Sequence, residues 1–192
     1  HQHPRHLYAS PAILLPAIIM LIMVLNHVSY AQYMQDTQWI VWLLGPVTVA
    51  FTIPIYEYRA LVCEHIIAIS MGIVVGMSAG ILSTWYLSQW SHFIPDATYS
   101  LMSRSIPTPF AVELANPLHG SAELTTLFTI LTGMVGMLIG DVVLAMLRLH
   151  SHIAEGASLG NAAHGFGSSK AMQRHQEQGV IASLTMVLAG IF

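Results

Sequence analysis

Four long windows with at most one Asp, Glu, Lys or Arg set the terms on which this chain can fold. The first lies between Arg5 and Asp36, with a proline-punctuated apolar core from Pro11 to Leu25, and the second runs from Thr37 to Tyr56 with Gly45, Pro46 and Pro54 inside it. The third covers His65 to Leu87, and the fourth runs from Leu124 to about Leu147, interrupted only by Asp141. A bilayer-spanning helix needs about 20 mostly apolar residues and tolerates few ionised groups at its centre. Each window meets that demand, and a fifth apolar run begins near Gly179. Only 8% of the 192 residues are charged, against about 25% in an ordinary soluble domain. More apolar surface than a 21.0 kDa core can bury points to a partner in the lipid bilayer. The chain starts at His1 rather than Met and ends at Phe192 inside an apolar run, so it reads as a fragment and its helices as a minimum number.

Charge and cysteine exclude other classes. Six Lys or Arg against nine Asp or Glu give a formal net charge of -3, which leaves no basic surface for a nucleic acid backbone. The single cysteine, Cys63, permits no internal disulfide and reads as a small apolar filler; the methionines scattered through the spans read as packing filler. No phosphate loop, nucleophile elbow or catalytic triad pattern is present, so an enzyme is not expected. None of the histidines stands in a metal-binding spacing. His1, His3 and His6 are terminal, His150 and His152 flank Arg148, and Cys63-Glu64-His65 is too cramped for one tetrahedral ion, so no metal or cofactor is expected.

Two stretches are too polar to span as plain helices and too apolar for loops: Asp96 to Pro117 and Ser151 to Gln178. In the first, a helical piece from Ala97 to Arg104 meets Ser-Ile-Pro-Thr-Pro and resumes from Phe110 to Ala115, because each proline removes a donor and disfavours helix before it. In the second, Ile153 to Ala163 is interrupted by His164-Gly165-Phe166-Gly167, and Ser168-Ser169-Lys170 restarts a helix. Aligned at an offset of roughly 58 residues, Pro107 falls on Gly165 and Pro109 on Gly167; the following apolar helices agree at nearly that offset, Leu127 with Leu184 and Gly133 with Gly190. These matches predict an internal repeat with units at about 96–147 and 152–192.

Basic residues orient the spans. Arg5 and Arg59 fall on one side, the cytoplasm, after two crossings, and Arg148 falls there again after span four. The first broken segment then enters and leaves outside, the second enters and leaves inside, and the two repeat units are inverted. The expected fold is therefore a single-domain, all-α, polytopic membrane protein with two broken, re-entrant helices in an inverted repeat. Transporters build midplane sites from such opposed broken helices.

Backbone donors freed at a break must face protein, water or a ligand, and helix N-termini favour anions. Arg104, Ser105 and Thr108 flank the first break; Asn161, His164, Gly165, Gly167, Ser168 and Lys170 flank the second. Two cations and several hydroxyls suit a small carboxylate. The alternative for Arg104 and Lys170 is a snorkelling interfacial anchor. His164 reads as a substrate or proton contact, or as a histidine satisfied by a neighbouring carbonyl. Of the acids, Glu123 reads as a cap on span four and Asp141 as an interface residue, which leaves Glu113 as the candidate for proton or cation coupling. The glycine stripes Gly72-Gly76-Gly80 and Gly133-Gly136-Gly140 read as close-packing faces.

At these residues a resemblance becomes specific. Gly45 to His65, Ser103 to Leu114, Ile130 to Gly140, Leu147 to Ala171 and Glu177 to Ile191 resemble the LrgB/CidB family of bacterial inner-membrane proteins, related to the plastid glycolate/glycerate translocator. The His-Gly-x-Gly segment at His164 is the most diagnostic part. The family's Pro-Lys-Ser-Val-Thr-Thr-Pro stands here as Ser103 to Pro109, with Arg104 keeping the charge and Pro107 replacing a hydroxyl residue. Its Gly-Thr-Ala-Ser-His-Gly stands as Gly160 to Gly165 with Asn161. Asp141 and Glu155 are not family-like, and one N-terminal helix and the end of the last helix are missing by comparison. The resemblance implies a carrier of small monocarboxylates of the pyruvate, glycolate or glycerate class, or a holin/antiholin-like regulator of murein hydrolase export and autolysis acting with a small LrgA/CidA-type membrane partner. Homo- or hetero-oligomers are implied in either case. The repeat-related broken helices favour the carrier.

Overall fold

Helix covers nearly every described residue, as such apolar windows require. The computed structural model describes residues 11–50, 52–149 and 151–192. Arg5, His1, His3, His6 and His150 lie outside these residues. The chain forms two compact units, His1–Val47 and Thr48–Phe192.

The first unit contains α1 (Pro11–Leu25) and α2 (Tyr30–Trp42). Pro16 sits inside α1. Ser29 caps α2 in a reciprocal box: the Gln32 backbone N–H donates to the Ser29 hydroxyl at 3.3 Å and the Ser29 N–H to the Gln32 side chain at 2.9 Å. Leu15, Met20, Leu21 and Val24 on α1 are exposed, as a helix facing lipid would be. The second window is interrupted, as its glycine and prolines predict. It is divided among α2, α3 (Leu44–Ala50) and α4 (Thr52–Glu57), and α2 itself starts well before the window, because the Ser29 cap begins the helix there.

Within the second unit, α5 (Arg59–Trp90) and α8 (Ala122–Leu147) have 32 and 26 residues, about 48 and 39 Å at 1.5 Å per residue, and both are apolar enough to cross a membrane. Between them run α6 (Pro95–Met102), a 3-10 turn (Ser103–Ser105) and α7 (Thr108–Ala115); α9 (His152–Arg174) and α10 (Gln176–Ile191) follow. Ile181, Leu184, Val187 and Ala189 on α10 are almost fully buried, Ile181 and Leu184 in a cluster with Val62 and Ala189 in one with Ile69 and Ile73, so α10 is the inner helix of the unit.

Both broken segments are hairpins. The first enters along α6, turns at Ile106-Pro107 and returns along α7. Its mouth closes where the Ser121 N–H donates to the Ser100 hydroxyl at 2.8 Å and the Gly120 N–H to the Ala115 carbonyl at 2.8 Å, at the start of α8. Helix resumes at Thr108, two residues earlier than proline placement predicts. Pro109 lies in the first turn of α7, where a missing N–H costs no bond.

The second hairpin turns at one residue, not four. His164 adopts φ 48, ψ -128 while Gly165, Phe166 and Gly167 are already helical. The returning arm touches the entering one at Gly167, where a Cβ would collide with the Leu159 carbonyl. Its mouth closes at the far end of α8, where the His152 and His175 rings stack with centroids 4.3 Å apart. The two hairpins thus open at opposite ends of α8, the arrangement expected of inverted, re-entrant elements. Arg104 on the first tip reaches Thr132, and Ala163 on the second packs on Gly136, both near the middle of α8.

Glycines admit these contacts. Gly76 and Gly80 on α5 face Asn161 and Ser105, while Gly133, Gly136 and Gly140 on α8 face Phe166, Ala163 and Leu159. A Cβ at Gly72 would meet nothing within 4 Å, and Cys63 is exposed on α5.

Candidate functional site

The tips of the two hairpins meet. The 3-10 turn that ends the first entering arm leaves Arg104 half-buried, its guanidinium donating to the Thr132 hydroxyl on α8 at 3.0 Å and to the Thr84 hydroxyl on α5 at 3.3 Å. No carboxylate lies within ion-pair distance of Arg104 among the described residues. The backbone carbonyl of Arg104 in turn faces Nε2 of His164 at 3.1 Å, so the reversal of the second hairpin is pinned to the reversal of the first.

A cleft of about 450 Å³ opens beside this contact. Arg104, Ser83, Thr84 and Thr132 supply its polar lining, and apolar side chains such as Phe128 and Leu101 supply the rest. A guanidinium held by two neutral hydroxyls keeps its full charge and has donors to spare. The arrangement is suited to one small anion with a short apolar body.

The residues selected by sequence divide around this cleft. Arg104 lines it. Ser105 lies at the first tip against Gly80, and Thr108 begins the returning arm. Asn161 and His164 stand at the second tip, where Asn161 Oδ1 and His164 Nδ1 are buried without a hydrogen-bond partner among the described residues. Gly165 is open, with nothing near the position of a Cβ, whereas Gly167 serves the close approach of the two arms. Ser168 is buried, its hydroxyl 3.9 Å from the Met186 sulfur.

Lys170 stands apart from the tips. Six residues past the reversal, it donates to the Met137 carbonyl and pairs with Asp141 at 2.5 Å; Arg174 also pairs with Asp141. Lys170 and Arg104 therefore do not occupy equivalent places in the repeat. Glu113 is exposed on α7 and does not join the cluster. Glu123 accepts from the Ser121 hydroxyl at 2.6 Å beside the N-cap of α8, as a capping acid would. Thr84 and Thr132 were not picked out by sequence, although hydroxyls inside otherwise charge-free spans were a signal that could have found them. Among the described residues no group of His, Cys, Asp and Glu side chains is placed to hold a metal ion.

Comparison with known proteins agrees with the resemblance. The LrgB-like family matches residues 1–192. YwbG of Bacillus subtilis (strain 168) is 34% identical over 191 residues, covering 100% of this chain and 85% of its own length. YxaC of the same organism is 31% identical over 184 residues, covering 96% and 80%. The holin-like protein CidB of Staphylococcus aureus (strain N315) is 28% identical over 184 residues, with the same coverage. No solved structure matches the chain.

Proposed function

The chain belongs to the LrgB-like family, and from that premise we propose that it is a multi-pass protein of the bacterial inner membrane that transports small monocarboxylates of the pyruvate, glycolate or glycerate class, and not an enzyme. The observation that carries this reading is the meeting of two opposed hairpin tips beside a cleft whose one cation, Arg104, is held by hydroxyls and has no acidic partner among the described residues. A carboxylate would bind the free edge of the guanidinium. Its small apolar body would lie against Phe128 and Leu101. Because the hairpins open at opposite ends of α8, loosening one tip at a time would expose the cleft to one side and then the other. Asn161, His164 and Ser105 stand at the tips outside the cleft's lining and would position the tips rather than touch the anion.

A second reading is favoured by the comparisons themselves, which support it more than they support a carrier. The CidB relatives bear the name holin-like. On that reading the chain is a holin/antiholin-like regulator of murein hydrolase export that works with an LrgA/CidA-type partner or as an oligomer, and the cleft is incidental.

Melting the purified protein with a panel of small carboxylates separates the two, since a ligand of the folded state raises its melting temperature. The carrier reading predicts concentration-dependent stabilisation by pyruvate or glycolate, together with liposomes that hold an entrapped dye. Dye leakage without saturable carboxylate uptake would favour the holin-like reading.

A further inference from the structure

We propose that His164 takes up a proton when the cleft takes its anion, so that the two cross together; this rests on the carboxylate reading of the cleft. The argument begins with the hydrogen bond. A backbone carbonyl can only accept, so Nε2 of His164, 3.1 Å from the Arg104 carbonyl, carries the proton of that bond. In the neutral ring Nδ1 is then a bare lone pair. That atom is buried with no partner, in a residue only 4% exposed.

The ring is held at a conformational cost. His164 is the reversal residue, and its φ of 48 is one that a glycine would adopt freely, with Gly165 beside it in sequence. A histidine in that conformation, pinned to the opposite tip, ties its protonation to the contact between the hairpins.

Its surroundings leave the charge to the ligand. The ionisable group facing the ring among the described residues is Arg104, on the segment packed against it. At this level α8 presents Gly133 and Gly136. Gly156 lies on Gln178 and Gly160 on Ala182, so the next turn of α10, Thr185 and Met186, comes level with the tip and adds no charge. Lys170 on the returning arm is engaged with Asp141. Burial of the ring and then the charge of Arg104 beside it oppose a cation at His164 while the cleft is empty. An anion in the cleft offsets the charge of Arg104, and Nδ1 takes a proton from water as the tips loosen to admit the anion, Nε2 keeping its proton. The loaded site then carries the same net charge as the empty one, which favours its passage through a low-dielectric region. Release of the anion on the far side returns the proton to water.

The test measures proton uptake by purified protein in weakly buffered detergent near neutral pH as pyruvate or glycolate is added. Binding is followed in parallel by melting temperature. The expected result is uptake of one proton for each carboxylate bound in the wild type, and none per carboxylate bound in His164→Gln. His164→Gly, which accepts the reversal without strain, gives the same loss in a variant expected to fold. Carboxylate binding without proton uptake by the wild type, or undiminished uptake in His164→Gly, overturns the inference and leaves the cleft reading standing. Absence of carboxylate binding by the wild type overturns both.

Discussion

The ring of Phe110 occupies the space that a side chain at Gly190 would need. The relationship has a counterpart: the ring of Phe166 fills the space beside Gly133. Gly133 and Gly190 are the positions matched by the repeat, and each receives the aromatic ring that follows the other unit's reversal. Such an exchange is what the expected inverted repeat would produce. Leucine at Gly133 or Gly190 should therefore lower stability by about 1–3 kcal/mol, the usual cost of overpacking. Gly72→Leu, where a Cβ meets nothing within 4 Å, is the control. Melting curves in detergent give the comparison, and equal losses at all three positions would contradict the packing.

Asp141 joins α8 to the returning arm of the second hairpin through both Lys170 and Arg174. Asp141 is half exposed, so the gain is modest, and Asp141→Asn should cost about 1 kcal/mol. Lys170→Met should cost a similar amount, and the double variant less than the sum of the two, because both remove the Lys170–Asp141 pair. Full additivity in the melting temperatures would show that the pair does not couple.

Labelling reads the direction of the hairpins. In a Cys63→Ser background, a cysteine at Leu118, beside the mouth of the first hairpin, should react with an impermeant maleimide added outside cells. One at Gln176, beside the mouth of the second, should react only after the cytoplasmic face is opened. Both positions are exposed. Reaction of both from one side would rule out opposed entry.

Thr84 and Thr132 hold the guanidinium of Arg104 in place. Thr84→Val and Thr132→Val keep the shape and remove one hydrogen bond to a charged group each, a loss of about 1.5–3 kcal/mol in positioning. The half-saturating carboxylate concentration should rise roughly tenfold or more while the protein still folds. Unchanged saturation curves would separate these hydroxyls from the cleft.

Much of this architecture was legible in the chain because breaks and spans are local. Pro107 and the His164-Gly165 pair mark the reversals, and the charge-free windows around Gly76 and Gly136 mark α5 and α8. What stayed hidden depends on contacts between distant residues. Lys170 reads as a second cation of the site until α8 brings Asp141 to it from the preceding helix. Thr84 and Thr132 become guanidinium holders only when α5 and α8 flank the first tip. The second apolar window carries its breaks near Gly45-Pro46 and Pro54, but that α2 begins as early as the Ser29 cap, outside the window, was not read.

The central claim is that Arg104 binds the anion, and uptake of labelled pyruvate and glycolate into proteoliposomes tests it most directly. Loss of the guanidinium in Arg104→Gln should reduce saturable uptake roughly tenfold to a hundredfold, with Arg104→Lys intermediate because an ammonium lacks the planar fork. Wild-type uptake by Arg104→Gln, at equal protein incorporation, would contradict the account.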